Sequence, residues 1–343
     1  MNITRPDYSK LFSQVEKADV TALRQFLLDN PDTPLVATGS GGAETVADFA
    51  ALLYGAHGGI ATAASPYTIH SFSDKALAAS KVLLVSAGGH NNDIVFAAKR
   101  ALEVNPDASA SFTLSTGERN EVRKLFLKKG SPLSFDIPVS RSDGFVSTGT
   151  PVAFFALLCK IFGSGQNLVR FAPKVGEFFS IHTKSGRPLC PADLERVRNF
   201  VILHGGWGRP VAANMEGKLV ESGHASASVC DYRNYCHGRF IYTSNHLEDS
   251  AMVLLITPRE KDLADRIVKF LPDETKLIII ETQEDAPEAS LDLLIRSTEF
   301  FFELCDSLGV NPSSPRNPGK IDKRVPMWIP FVSAMKQSGP LSL

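Results

Sequence analysis

Short apolar runs alternate with segments of helical period along most of the chain. "PLVATGS", "KVLLVSAGG" and "ASFTLST" read as buried strands, and "AETVADFAALLYG", "NDIVFAAKRALEV" and "RNEVRKLFLKKG" read as helices between them. That alternation predicts a parallel sheet covered on both faces. A helical stretch, "DVTALRQFLLDN", comes before it. From about Gly163 to Asn199 the pattern pauses in a less regular stretch containing "SGRPLCPAD", which reads as a connection. It restarts with "NFVILHGGW", "AMVLLITPR" and "KLIIIET" as strands, "KDLADRIVKFL" as a helix, and a closing helix from about Pro287 to Gly309.

The two halves repeat one another. In the first, the opening strand runs into "TGSGG" (Thr38 to Gly42), and in the second into "HGGWG" (His204 to Gly208), each followed by a helix. The next apolar strand ends at "SAGG" in the first half and at "TPRE" in the second. The chain therefore reads as α/β, with two tandem doubly wound parallel sheets flanked by helices. The expected organisation is an N-terminal helical segment (1–33), a first α/β domain (34–165), a linker (166–198), a second α/β domain (199–310) and a C-terminal tail (311–343). Ligands of open α/β sheets bind beyond the carboxyl ends of the strands, so the pocket is expected after Val36, Val85, Leu114, Leu203 and Leu255.

Composition narrows the partners. With 343 residues, 43% of them hydrophobic, there is enough chain for two ordinary cores. Lys and Arg (36) nearly balance Asp and Glu (37), so no basic field argues for nucleic acid or an anionic membrane surface. No apolar run reaches the length of a membrane span, and "MNITRPDYSK" lacks a signal pattern, which points to the cytoplasm. The five cysteines form no CxxC and no zinc spacing, and read as reduced, mostly buried thiols. No His/Asp/Glu cluster stands at ligand spacing, so neither a metal nor another cofactor is expected.

The glycine-rich turns carry the first chemistry. "GSGGAE" does not complete GxGxxG, and it lacks the lysine of a nucleotide-binding P-loop, which leaves a sugar phosphate or similar anion as the expected ligand. Further on, "DYRNYCHGRF" follows a strand-like run and ends it, on this reading, in His237 and Gly238. There the imidazole would project into the pocket while glycine lets the chain turn away.

"TGSGG", "VSAGGHNND" and "FVSTGTPVAFFALL" within two α/β halves resemble the sugar isomerase (SIS) domain family. "EGKLVESGHASASVCDYRNYCHG" is similar to the isomerase portion of glucosamine-6-phosphate synthase, where the glutamate of K-L-x-E moves the proton and the histidine of H-G helps open the ring. Those residues match Glu221 and His237, and their separation of sixteen residues (237 minus 221) equals the family's. "SPRNPGKIDK" resembles the synthase's closing P-R-N-x-x-K, which carries its lysine onto Lys320. The resemblance spans roughly residues 30 to 325. It implies tandem SIS domains and a homodimer or larger symmetric assembly in which His237 reaches the neighbouring subunit's pocket.

The chemistry is coherent without the name. A carboxylate can carry a proton between neighbouring carbons, a histidine can serve the ring oxygens near neutral pH, and a lysine can stabilise an alkoxide or form an imine. The anion is expected at Ser40, Gly41, Ser86, Gly88, His90, Asn91 and the turn at Phe145, Ser147 and Thr148, with Arg239 as a further candidate. Departures point to a divergent branch: the phosphate loop S-x-S-G-x-T is here Ser86-Ala87-Gly88-Gly89-His90-Asn91, and the proline of H-G-P is Arg239. The chain opens on "MNITRP" where the synthase carries its glutaminase domain, so isomerisation, deamination or deglycation of a sugar phosphate is expected, with a non-catalytic sugar-phosphate sensor as the alternative. The tail is rich in proline, but Trp328, Ile329, Phe331 and Val332 predict that it packs back onto the body, bringing Lys320 beside Glu221 and His237.

Overall fold

The computed structural model describes residues 5–140, 143–163, 167–171 and 178–315. The first sheet holds β1 (Leu35–Thr38), β2 (Ala61–Ala64), β3 (Lys81–Ser86), β4 (Ser109–Thr113) and β5 (Ser134–Asp136) in the order β2-β1-β3-β4-β5, with all pairs parallel. The second holds β6 (Ser180–Thr183), β7 (Asn199–His204), β8 (Ser226–Asp231), β9 (Ser250–Ile256) and β10 (Lys276–Glu281) in the order β6-β10-β9-β7-β8. Taken from the β8 edge, β8-β7-β9-β10 repeats β2-β1-β3-β4, so the duplication expected from the sequence is present in the topology.

The fifth position of the second sheet corrects two expectations. It is filled by β6, which lies inside the stretch 166–198 read as a linker and pairs antiparallel with β10, placing Ile181 opposite Ile278. The second sheet is therefore mixed. An edge strand can reverse direction because only one neighbour fixes its ladder.

Helices cover both faces of each sheet. On the outer face of the first, Ile94, Ala98 and Phe126 cover Val82 and Leu84; on that of the second, Tyr232 and Ile267 cover Leu203 and Leu254. The inner faces share one apolar layer. Helices Gly42–Ala56, Gly149–Phe162, Arg209–Glu221 and Glu288–Leu308 meet there, with the Phe49 ring stacked on Phe155 at 4.2 Å and edge-on to Trp207 at 6.5 Å. The helix from Glu288 to Leu308 matches the closing helix expected near Pro287 to Gly309, and Gly309 ends it at φ +64°, where glycine carries no steric cost. Before β1, helices Tyr8–Lys17 and Thr21–Leu28 pack on helix Gly149–Phe162. Among the described residues no helix is long and apolar enough to cross a membrane.

Candidate active site

A cleft of about 780 Å³ lies between the halves. Its walls are helix Gly42–Ala56 of the first half and helix Arg209–Glu221 of the second. The two run in opposite directions, so Thr45 meets Asn214 and, further along, Asp48 meets Arg209 across an ion pair of 2.9 Å. The cleft thus takes in the carboxyl ends of β7 and β8 at His204 and Asp231 and the turn after β1 at Gly41, as the sequence pointed to, and extends from there along the helices.

One buried chain of hydrogen bonds fixes the middle of the cleft. Thr45 Oγ1 donates to Gly42 O (2.8 Å), Asn214 Nδ2 donates to Thr45 Oγ1 (3.2 Å), and Lys218 Nζ donates to Asn214 Oδ1 (2.5 Å) and to Thr298 Oγ1 (2.9 Å). Lys218 is 3% exposed yet lines the cleft. Burial pulls its ammonium down to a pKa of about 7, against the opposing influence of Asp143 and Glu221. Glu221, three residues on, lines the same wall at the helix end. Desolvation pushes its carboxyl above the ordinary range, Lys218 opposes that, and Glu216 adds to it.

Sequence reasoning passed over Lys218 although it quoted "KLVE". A signal was available: Val211, Met215, Lys218 and Leu219 fall at i, i+4, i+7 and i+8, so the lysine occupies a position on the buried stripe. A lysine there is costly unless it is used or satisfied.

The expected site residues divide into groups. Gly41, Ser147 and Glu221 line the cleft, with Ser147 beside Gly42. Ser40 adjoins Gly41, whose φ of +57° turns the chain into helix Gly42–Ala56. Thr148 is buried behind the wall, its N–H donating to Asp143 Oδ1 (2.9 Å), and Phe145 is exposed. Asp143 also accepts from the N–H groups of Gly149 and Thr150, closing the start of helix Gly149–Phe162.

Ser86, Gly88, His90 and Asn91 do not line this cleft. Ser86 Oγ accepts from Gly89 N (3.1 Å), the His90 ring stands beside Gly88, and Asn91 Oδ1 accepts from Asp93 N (2.8 Å), capping helix Asn92–Val104.

His237 is not at a strand end. β8 stops at Asp231, whose carboxylate accepts from Arg233 N and Asn234 N and so starts a helical segment. His237 lies in a widened turn from Tyr235 to Arg239, with Gly238 at φ +101°. His237 and Arg239 are exposed, next to Phe240, Ile241 and Tyr242, of which Ile241 is 56% exposed. Lys320, Trp328, Ile329, Phe331 and Val332 lie outside the described residues. The chain leading to them runs beside the cleft, since Phe145 N donates to Ser313 O (3.3 Å) and Val146 N to Pro312 O (3.0 Å).

Comparison of whole structures supplies the frame for this geometry. The tagatose-6-phosphate ketose/aldose isomerase of Escherichia coli superposes with a TM-score of 0.67 at 14% identity, over 90% of this chain and 92% of that one. The chain has the sugar-isomerase fold. Glucosamine-6-phosphate deaminase of Thermotoga maritima shares it (TM-score 0.63, 15% identity, 90% of this chain and 98% of that one). So does the C-terminal domain of the glucosamine-fructose-6-phosphate aminotransferase of Francisella tularensis (0.62, 10%, 88% and 94%). No protein-family model matches the sequence, and no curated protein matches it. The sugar-isomerase fold is thus carried by a sequence far from these structures, and the buried polar residues Thr45, His204, Asn214 and Lys218 line the cleft between its halves.

Proposed function

We propose that the chain is an enzyme that transfers a proton between neighbouring carbons of a phosphorylated or otherwise anionic sugar. The observation that carries the reading is the pairing of Glu221 with the buried Lys218 on one wall of the cleft, in a protein with the sugar-isomerase fold. Glu221 takes the proton from one carbon as carboxylate and returns it to the next as acid, a task for which a carboxyl raised by desolvation is better matched than an ordinary one. The Lys218 ammonium, held by Asn214 and Thr298, stabilises the oxygen that becomes negative when the carbon loses its proton. The sugar lies against Gly41, Gly42 and Ser147. The loop from Ser86 to Asn91 has no part in this reading.

His237 is exposed and does not line this chain's own cleft, and we assign it to a second copy's cleft. The exposed run Phe240, Ile241 and Tyr242 beside it supports a homodimer, because contiguous apolar surface of this kind favours contact with another protein surface. Lys320, seven residues beyond Ser313, is assigned to the near end of the cleft, within reach of a chain that leaves from Pro312 and Ser313.

The test is proton exchange. Purified protein in deuterated water is expected to place deuterium on a carbon of at least one sugar phosphate, such as fructose 6-phosphate or glucosamine 6-phosphate. Glu221→Gln is expected to lose about a hundredfold or more of that rate. Binding without exchange across the panel would make the protein a sugar-phosphate-binding regulator instead.

A further inference from the structure

The first sheet ends on an open edge at β2. Among the described residues no strand pairs with the side of β2 that faces away from β1. Leu35 N donates to Ile60 O (2.8 Å), so in the parallel ladder Ile60, Thr62 and Ala64 turn their N–H and C=O groups towards β1, and Ala61 and Ala63 turn theirs outward. Thr62 Oγ1 donates to Ala63 O at a long 3.4 Å. Unpaired groups in a row along an edge are a template for a further strand.

A groove of about 250 Å³ lies beside this edge. Val36 and Phe72 line it and belong to the outer face of the sheet, and Ile60, also in its lining, is 73% exposed. The lining holds no charged residue. The groove is smaller than the roughly 300–1,000 Å³ of small-molecule sites, and its size and apolar walls suit a single large side chain.

The chain itself carries a segment of matching pattern. Residues 325–332, "VPMWIPFV", form an uncharged run between Arg324 and Lys336; they lie outside the described residues. Pro326 and Pro330 are four apart, so on an extended strand both turn a nitrogen without hydrogen to one side, while Met327, Ile329 and Phe331 keep donors for the other. The starting point also fits. The described chain leading to this segment bonds to Phe145 and Val146, next to Ser147, which stands beside Gly42 just past the carboxyl end of β1. β2 is the neighbour of β1, about 4.8 Å away. The twelve residues from Pro315 to Met327 (327 minus 315) span up to about 40 Å, so the segment can reach β2 from its carboxyl end with chain to spare for Lys320 at the cleft.

We propose that residues 325–332 of this chain add to β2 as a sixth, antiparallel strand of the first sheet, with Trp328 opposite Thr62 and its side chain in the groove. In this register Met327 N donates to Ala63 O and Ile329 N to Ala61 O, and the proline nitrogens face solvent. Trp328 then falls on the face of Ile60 and Thr62, where the groove lies. A slip of one residue would set the prolines against Ala61 and Ala63 and turn Trp328 to the other face. The inference concerns a surface of the first sheet and does not depend on the proton chemistry at Glu221.

The chain has two tryptophans, so the fluorescence lost in Trp328→Phe reports Trp328. Acrylamide is expected to quench that component at least threefold less in the native protein than in urea. Ala76→Arg sets a charge at the groove from an exposed position on helix Asp74–Ala78 and is expected to raise the native quenching at least twofold, with circular dichroism unchanged. Quenching as strong as in urea, or no response to Ala76→Arg, would overturn the inference. The register is tested by Ile60→Cys combined with Pro330→Cys, a non-hydrogen-bonded pair whose Cα atoms would stand about 4.5 Å apart, within disulfide range. Mild oxidation is expected to link positions 60 and 330 within one chain, as seen by non-reducing electrophoresis and peptide mass spectrometry, while Ile60→Cys with Val325→Cys stays unlinked. A link between two chains would give the edge to the tail of a second copy, and no link at all would leave it uncovered; either result refutes the proposal.

Discussion

Replacing Lys218 by Met isolates the cost of the buried ammonium. Met keeps the length and apolar stem of the side chain and removes its charge. In the fold, Lys218 gives up its proton near pH 7 rather than near 10.5, a difference equivalent to about 5 kcal/mol in favour of the neutral amine. The unfolded chain binds the proton throughout that interval, so the wild-type fold carries the full cost below about pH 7 and sheds it as the pH rises towards 10.5. Lys218→Met has no such cost at any pH. It does leave Asn214 Oδ1 and Thr298 Oγ1 without their donor, a loss of about 1–3 kcal/mol that does not depend on pH. The variant is therefore expected to be more stable than wild type by about 2–4 kcal/mol at pH 6. That advantage should shrink by about 4 kcal/mol between pH 6 and pH 10. Urea denaturation followed by circular dichroism at intervals of one pH unit measures it. A difference between the two proteins that stays constant within about 1 kcal/mol over this range would show that Lys218 is not held at the depressed value. The same variant is expected to lose at least about a hundredfold in proton exchange, so stability and turnover move in opposite directions.

For the tail, Lys320→Ala is expected to lower exchange by about a hundredfold with the thermal midpoint little changed, while Lys323→Ala keeps near wild-type turnover; a chain ending at Pro315 that works at the full rate would remove Lys320 from the mechanism. For the assembly, mixing inactive Glu221→Gln with inactive His237→Ala is expected to restore part of the activity through mixed dimers, and a strict monomer by light scattering at micromolar concentration would refute the assignment of His237 to a neighbouring cleft.

The parts of the fold legible in the sequence are those buried on both faces. β3, β7 and β9 are buried at every position, so their apolar runs are continuous and cannot be mistaken for loop. β2 ("ATAA"), β5 ("SFD") and β6 ("SIHT") are short edge or near-edge strands with small or polar residues, and no period distinguishes them from connection. β8 ("SASVCD") is only half-buried against helix Arg209–Glu221, which leaves its pattern weak. The spacing of a motif singled out Glu221, which the structure places in the cleft lining. The chain was misread at His237, because a glycine after histidine looks like a turn at a strand's end, whereas Asp231 had already capped a helical segment six residues earlier. Lys218 was passed over for the opposite reason: a lysine on a helix reads as solvent-facing unless its place on the stripe of Val211, Met215 and Leu219 is weighed.

The shared inner layer constrains how a ligand gets in. Phe49 from one half and Trp207 from the other pack in the same layer as helix Glu288–Leu308, so swinging the halves apart to widen the cleft would tear one continuous core. Close-packed interiors resist such deformation. Entry and exit therefore fall to the rim, to the exposed Arg209 side chain, whose ion pair with Asp48 can break and re-form at little cost, and to the strand of chain that passes Phe145 and Val146. In mechanical terms the protein is a rigid vice with soft jaws: the walls are set when the chain folds, and traffic is governed by a few side chains at its lip.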